Sequence, residues 1–301
     1  VNFFIFGGMT MKLGFIGTGV MGQSMVGHFL ASGHHVNVYN RTKSKTDELV
    51  AKGAVWCDTP EIVAAESEVV FTMVGYPADV EEVYYGEKGI FQTDVAAKYL
   101  VDFTTSTPKL AEQIYQTAKE HGAASIDAPV SGGDLGAKNG TLTIMAGGDE
   151  EAYQKVEPLF EIVGKTCHLH GSAGKGQHTK MANQIMIAGT MTGMTEMLVY
   201  ADKAGLELPQ VIETLSGGSA ANWSLANYSP RILKEDFSPG FFVKHFIKDL
   251  GIALDEAAKM GLDLPSTALA KKMYDRLAEA GYESDGTQAL IKLWWQDGKK
   301  S

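Results

Sequence analysis

Two cysteines in 301 residues, Cys57 and Cys167, leave little scope for cysteine chemistry. They lie far apart and lack the paired spacing of a metal site, so neither zinc nor a disulfide framework is expected. Two reduced thiols fit a cytosolic protein. Long apolar runs are also missing. None approaches the ~18 residues of a membrane-spanning helix, so no membrane partner is expected. Basic charge is short as well, with 26 Lys and Arg against 36 Asp and Glu, a net charge of −10. Nucleic-acid phosphates are neutralised by clustered Lys and Arg, so no nucleic-acid partner is expected. A local basic pocket for a small anion remains compatible with this balance. Residues 1–10, VNFFIFGGMT, are apolar yet lack the charged start and cleavage site of a signal peptide. They read as a tail, with the folded chain beginning near Met11.

What is present is an alternation of element types. Short apolar runs at 11–17, 34–40, 54–57, 68–74, 99–103 and 124–130 read as strands. Between them, 20–33, 43–53, 60–66 and 107–122 carry helical spacing, several with a glycine stop or a proline in the first turn. Such alternation implies an α/β domain with a mostly parallel sheet covered on both faces. From Gly174 to Gly205 there is no strand signal and no proline, which predicts one helix about 45 Å long. The remainder reads as helices punctuated by glycines and by Pro209, Pro230, Pro239 and Pro265. The expected organisation is an α/β domain over 11–172, an interdomain helix over 173–204, and an all-helical domain over 205–301.

GTGVMG, residues 17–22, is a GxGxxG run. It follows a strand, opens a helix and precedes a second strand, the context a dinucleotide fingerprint requires. Gly17 permits the tight turn, Gly19 lets backbone approach a pyrophosphate, and Gly22 lets helix and strand pack closely. Thr18, Val20 and Met21 complete the loop, and the helix start offers unpaired N–H groups to phosphate. The second strand ends YNRT. Asn40 stands near the position where an NAD site places a carboxylate for the ribose 2′-hydroxyl. A neutral residue followed by the Arg41 guanidinium and the Thr42 hydroxyl favours a 2′-phosphate, so NADP(H) is expected over NAD(H).

A second glycine-rich stretch, DAPVSGGDLGAKNGTL over 127–142, follows the last strand. Ser131, Gly132 and Gly133 offer successive backbone N–H groups and a hydroxyl, a nest able to hold a carboxylate. A plain glycine-rich hairpin is the alternative. The run GKGQHTKMANQ then places Lys180 on a helix otherwise patterned for burial, with Asn183 and Gln184 beside it. Either Lys180 snorkels to solvent, or it is desolvated and exchanges a proton with a substrate oxygen that Asn183 helps to hold.

The pieces GFIGTGVMG, DAPVSGGDLGAKNGTL, GKGQHTKMANQ and FIKDLGIAL run in order over nearly the whole chain from Met11 to about Trp295. Together they resemble the β-hydroxyacid dehydrogenase family. These are the 3-hydroxyisobutyrate dehydrogenase-like and glyoxylate–succinic semialdehyde reductase-like enzymes of the 6-phosphogluconate dehydrogenase superfamily. The resemblance implies a Rossmann-type domain, a long interdomain helix and an all-α C-terminal domain. It also implies an NADP-dependent oxidoreductase acting on a small carboxylate-bearing hydroxy acid or semialdehyde, without a metal. Lys180 matches the catalytic lysine and Asn183 an amide that orients substrate. Ser131, Gly132 and Gly133 match the carboxylate loop, and Thr105 a threonine near nicotinamide and substrate. Lys248 and Asp249 match a Lys-Asp pair, with Lys248 near the cofactor and Asp249 on the substrate side. Phe241 matches a pocket wall. Met73 and Val74 match the strand end along the cofactor path, although relatives often read Leu-Pro there. Homodimers or homotetramers are implied. In the tail segment IKLWWQDGKK the Trp294-Trp295 pair reads as exposed, capping the helical domain or packing across a subunit interface. A decarboxylating 6-phosphogluconate-type enzyme has a longer C-terminal region, and imine reductases generally lack this lysine. A non-catalytic nucleotide sensor is the third alternative.

Overall fold

In a computed structural model, residues 10–296 are described; the expected tail falls almost wholly outside them. Nine strands occur among these residues: β1 Lys12–Ile16, β2 His35–Tyr39, β3 Val55–Trp56, β4 Val69–Thr72, β5 Tyr99–Asp102, β6 Ala124–Asp127, β7 Val130–Ser131, β8 Leu142–Gly148 and β9 Gly164–Leu169. The first seven helices are α1 Val20–Ala31, α2 Asp47–Ala51, α3 Pro60–Ala65, α4 Pro77–Tyr85, α5 Pro108–Glu120, α6 Gly133–Asn139 and α7 Glu150–Val163. The long helix α8 spans Lys175–Lys203. By contact density the chain divides into two compact units after Lys180, inside α8.

In the first unit the strands run β3-β2-β1-β4-β5-β6, all parallel. That is the doubly wound order, in which ligands bind beyond the carboxyl ends of the strands. β4, VVFT, is buried at every position, as a strand covered on both faces must be. Its side chains alternate. Val69 and Phe71 join Leu13, Phe15, Val101 and Phe103 beneath α1 and α7, while Val70 joins Ile16 and Leu100 beneath α3, α4 and α5. Phe71 stacks between Phe29 and Phe103, with ring centroids 5.0 and 5.2 Å away. Burying each such ring contributes roughly 1.5–3 kcal/mol. Local signals agree with this packing. Thr59 and Thr107 accept from the third residue of α3 and α5, and Pro60 and Pro108 open those helices.

The sheet is parallel only as far as β6. β8 pairs antiparallel with both β6 and β7, and parallel with β9. The 127–142 stretch is therefore neither a simple loop nor a bare hairpin. The chain turns at Gly132, φ +124°, into helix α6, ended by left-handed Gly140, before β8 begins. α4, β8, α7 and β9 had no counterpart in the sequence reading. Other expectations need correction. Residues 43–53 hold a tight 3₁₀ turn at Lys43–Thr46 and only five α-helical residues.

The second unit holds the rest of α8 with α9 Leu208–Ser216, α10 Trp223–Leu233, α11 Val243–Lys259 and α12 Pro265–Leu277. Met191, Met194 and Leu198 of α8 pack with Leu225 and Ile232, Phe246 and Leu250, and Met273 and Leu277. Pro230, expected as punctuation, lies inside α10. Burial of Leu225, Tyr228 and Ile232 holds that helix together across the lost backbone bond. Thr287–Leu293 is 3₁₀ rather than α. The tryptophan pair splits: Trp294 is 41% exposed, whereas Trp295 is 2% exposed and belongs to the helical core.

Candidate active site at the strand ends

The first unit gathers its candidate residues in strand order along one edge of the sheet. At the end of β1, Gly17 has φ +102°, and a Cβ there would lie 2.0 Å from the Met73 carbonyl oxygen. A Cβ on Gly22 would lie 2.1 Å from the Gly17 carbonyl oxygen. A Cβ on Gly19 meets no atom within 4 Å. The turn is thus closed behind and open at Gly19, the shape that lets a pyrophosphate approach backbone. Thr18 is fully buried and its hydroxyl donates to the Lys45 carbonyl, so that side chain serves the fold. Val20 is exposed and Met21 half-buried.

At the end of β2, Asn40 is a staple. Its Oδ1 accepts from Thr18 N at 3.1 Å and its Nδ2 donates to the Thr42 carbonyl at 2.9 Å. Arg41 projects outward, 87% exposed, with Asp79 Oδ1 3.5 Å from Nη1. An exposed pair of that length contributes at most about 1 kcal/mol, so the guanidinium is released cheaply to another anion.

Beyond β4 and β5 the backbone ladder stops at Thr72 and Asp102, and side chains take over. Val74 N donates to Thr104 Oγ1 at 3.0 Å, and Thr104 N donates to Asp102 Oδ1 at 3.0 Å. Thr105 is half-buried between two buried residues. Gln177, near the start of α8, bonds the backbone on both sides of it: Ser106 N donates to Oε1 at 2.9 Å and Nε2 donates to the Thr104 carbonyl at 2.8 Å.

The end of β6 fixes the start of α8. Gly174 N and Gln177 N each donate to the Asp127 carboxylate at 2.8 Å. Burial pushes Asp127 up to about 6, against those N–H bonds, which pull it down. Three residues after Gln177, Lys180 is 6% exposed and its Nζ donates to the Val130 carbonyl at 2.8 Å. The lysine does not snorkel; it is held against the chain leading into Ser131, Gly132 and Gly133. Thr105, Lys180 and that loop therefore share one bonded framework within the first unit.

The second unit carries a polar chain of its own. Lys248 Nζ lies 2.9 Å from Asp249 Oδ1, an ionic contact without hydrogen-bond alignment. Asp249 is 1% exposed and its Oδ2 accepts from Gln184 Nε2 at 2.8 Å. Gln184 Oε1 then accepts from Asn183 Nδ2 at 2.8 Å. A carboxylate only accepts, so Asp249 fixes which end of Gln184 faces it. Gln184 in turn fixes which end of Asn183 faces it. Phe241 is half-buried with its ring 5.5 Å from that of Phe246. Among the described residues no group of three or more His, Cys, Asp or Glu is placed to hold a metal. No helix among them is long and apolar enough to cross a membrane. Gln177, Thr104, Asp127 and Gln184 were not singled out as site residues from sequence. Gln177 did carry a signal, a polar residue three before Lys180 on the same buried face.

Comparison with known proteins bears on what this edge binds. Residues 12–171 match the NAD binding domain of 6-phosphogluconate dehydrogenase. Residues 174–294 match the model described as NAD-binding of NADP-dependent 3-hydroxyisobutyrate dehydrogenase. The chain belongs to the β-hydroxyacid dehydrogenase family. Among its relatives in the family is the probable 3-hydroxyisobutyrate dehydrogenase-like 1, mitochondrial, of Arabidopsis thaliana. The two are 52% identical over 93% of this chain and 84% of that one. The 2-hydroxy-3-oxopropionate reductase of Escherichia coli (strain K12) is 38% identical over 94% of this chain and 96% of its own length. Among solved structures, the 3-hydroxyisobutyrate dehydrogenase of Mycobacterium tuberculosis with L-serine superposes with a TM-score of 0.85. It is 28% identical, over 95% of this chain and 99% of that one. This β-hydroxyacid dehydrogenase is an oxidoreductase of the 3-hydroxyisobutyrate dehydrogenase type. Its cofactor is a nicotinamide dinucleotide, and the open Gly19 turn fits one.

Proposed function

We propose that the enzyme interconverts a small hydroxy acid and its semialdehyde or oxo acid with NADP(H), with Lys180 as general acid and base. The observation that carries this reading is the burial of Lys180 with its Nζ fixed at Val130, one residue before the carboxylate loop. In reduction, Lys180 donates a proton to the substrate oxygen as that oxygen gains negative charge; in oxidation, the amine accepts the hydroxyl proton. The nicotinamide, when bound, supplies or accepts the hydride.

The other residues position the substrate. Gly132, Gly133 and the Ser131 hydroxyl offer donors to the substrate carboxylate at the unpaired start of α6. Asp134 in that first turn opposes the anion and leaves the work to directed N–H bonds. Thr105 faces the reacting carbon and the nicotinamide. Asn183 holds the reacting oxygen, and Asp249 acts on it through Gln184. Phe241 and Lys248 are the second unit's candidates for contact with substrate and with cofactor. Gly17 to Gly22 hold the pyrophosphate, Met73 and Val74 line the cofactor path, and Arg41 with Thr42 takes the 2′-phosphate. The relative that reduces 2-hydroxy-3-oxopropionate and the solved relative holding L-serine favour a three- or four-carbon acid.

The test is loss of NADPH absorbance with methylmalonic, tartronic and succinic semialdehydes and glyoxylate, repeated with Lys180→Ala. One of these acids should be turned over, faster with NADPH than with NADH. Removing the amine should lower kcat about 10²- to 10⁴-fold, with the NADPH dissociation constant changed less than about two-fold. A Lys180→Ala protein that keeps wild-type turnover removes the lysine from the chemistry.

A further inference from the structure

We propose that Gln177 is a positioning residue whose side-chain amide holds Thr105 in register with Lys180. The inference rests on the roles given above to Thr105 and Lys180. Its starting point is where the sheet ends. β5 loses its last ladder partners at Asp102, yet Thr104 and Ser106 stay buried. Their backbone groups need partners that no strand provides. The Gln177 amide supplies both, accepting from Ser106 N and donating to the Thr104 carbonyl. It engages the N–H after Thr105 and the C=O before it, as a neighbouring strand would, and leaves the Thr105 side chain at the vertex.

Any donor and acceptor would satisfy those two groups. What distinguishes Gln177 is its place. It is fully buried, three residues before Lys180 on α8, so the two side chains leave the helix on one face. Its own N–H is capped by Asp127. At Gly176 a Cβ would lie 2.4 Å from the Met145 carbonyl oxygen and 2.5 Å from that of Asp127. The first turn of α8 therefore sits directly on β6 and β8 and has little freedom to shift. Through one rigid helical turn, the position of Thr105 is tied to that of the lysine amine. The Thr104 hydroxyl extends the tie to Val74.

Two variants separate positioning from mere support of the fold. Gln177→Met keeps the length and removes both bonds. Gln177→Glu keeps an acceptor for Ser106 N but, ionised, presents no donor to Thr104. Each is compared with wild type for kcat and KM with the best semialdehyde, for NADPH affinity by fluorescence, and for amide exchange at Ser106 by mass spectrometry. In Gln177→Met, Ser106 exchange should rise at least about ten-fold and kcat should fall about ten- to hundred-fold, as expected for roughly ångström misplacement of a reacting group. NADPH affinity should stay within about two-fold. Gln177→Glu should fall between the two, and it serves alone if the methionine variant does not fold. Faster Ser106 exchange with kcat within two-fold of wild type would overturn the proposal, as would unchanged exchange. Wild-type enzyme that turns over none of the acids would instead overturn the activity assigned above, while the exchange measurement still reports whether the clamp exists.

Discussion

Replacing Arg41 by alanine tests the assignment of NADP(H) most directly. The guanidinium stands at the end of β2, 87% exposed, and its partner in the structure is Asp79 at 3.5 Å. Leaving that partner costs at most about 1 kcal/mol. A hydrogen bond to a charged group contributes about 1.5–3 kcal/mol. At this exposure the lower part of that range applies, because solvent screens the pair. The net loss on removing the side chain is then roughly 1–2 kcal/mol, or about five- to thirty-fold in the NADPH dissociation constant. NADH lacks the 2′-phosphate and should bind the variant within two-fold of wild type. Arg41→Lys keeps the charge but loses the planar fork, and should fall between. The assay is fluorescence titration with each dinucleotide at low and at about 0.5 M salt. The wild-type preference for NADPH should shrink in salt, since exposed charges are screened there. Equal loss of NADPH and NADH affinity in Arg41→Ala would refute the reasoning, since the arginine would then be supporting the loop rather than reading the phosphate.

Two further outcomes follow from the buried carboxylates. Asp249→Asn removes the acceptor-only group that orients Gln184 and, through it, Asn183. KM for the acid should rise or kcat fall by about ten-fold or more, with NADPH affinity held within a few-fold; unchanged steady-state kinetics would remove Asp249 from the relay. Asp127 titrates near 6 when folded, against an ordinary 3.8. The folded state therefore holds its proton more tightly than the unfolded state. That contribution to stability is fully present below about pH 4 and is lost as pH rises through about 6, by about 3 kcal/mol in all. In urea unfolding, the stability of wild type relative to Asp127→Asn should decline across that window, and a flat difference would contradict it.

Much of the site was legible because it is written locally. The glycine at each end of GTGVMG is demanded by contacts at 2.0 and 2.1 Å, and the buried lysine announces itself against an apolar helix face. The five strands behind the candidate site were legible for the same reason, as apolar or alternating runs such as VVFT and HVNVY, although each ends one to three residues before the expected end. Elements whose identity depends on distant partners were not legible. LTIMAGG becomes β8 because β6, β7 and β9 lie beside it, and α7 carries Pro158 at a position that argues against a helix. The roles proposed for Gln177 and Gln184 were hidden for a related cause. An amide's function is set by its two partners: both partners of Gln177 lie 71 and 73 residues away in sequence, and the Asp249 partner of Gln184 lies 65 away.

Strand order has a consequence for how this enzyme can change. Arg41 leaves the end of β2, while Thr105 follows β5, with β1 and β4 between them. Three interstrand spacings of about 4.8 Å separate the two strands by about 14 Å. Substitutions that far apart, with no shared partner, usually combine additively to within about 0.5 kcal/mol. With the roles proposed above for Arg41 and Thr105, nucleotide preference and substrate chemistry are separate traits on one edge. A lineage, or an engineer, can exchange one dinucleotide for the other without re-optimising the groups that handle the acid.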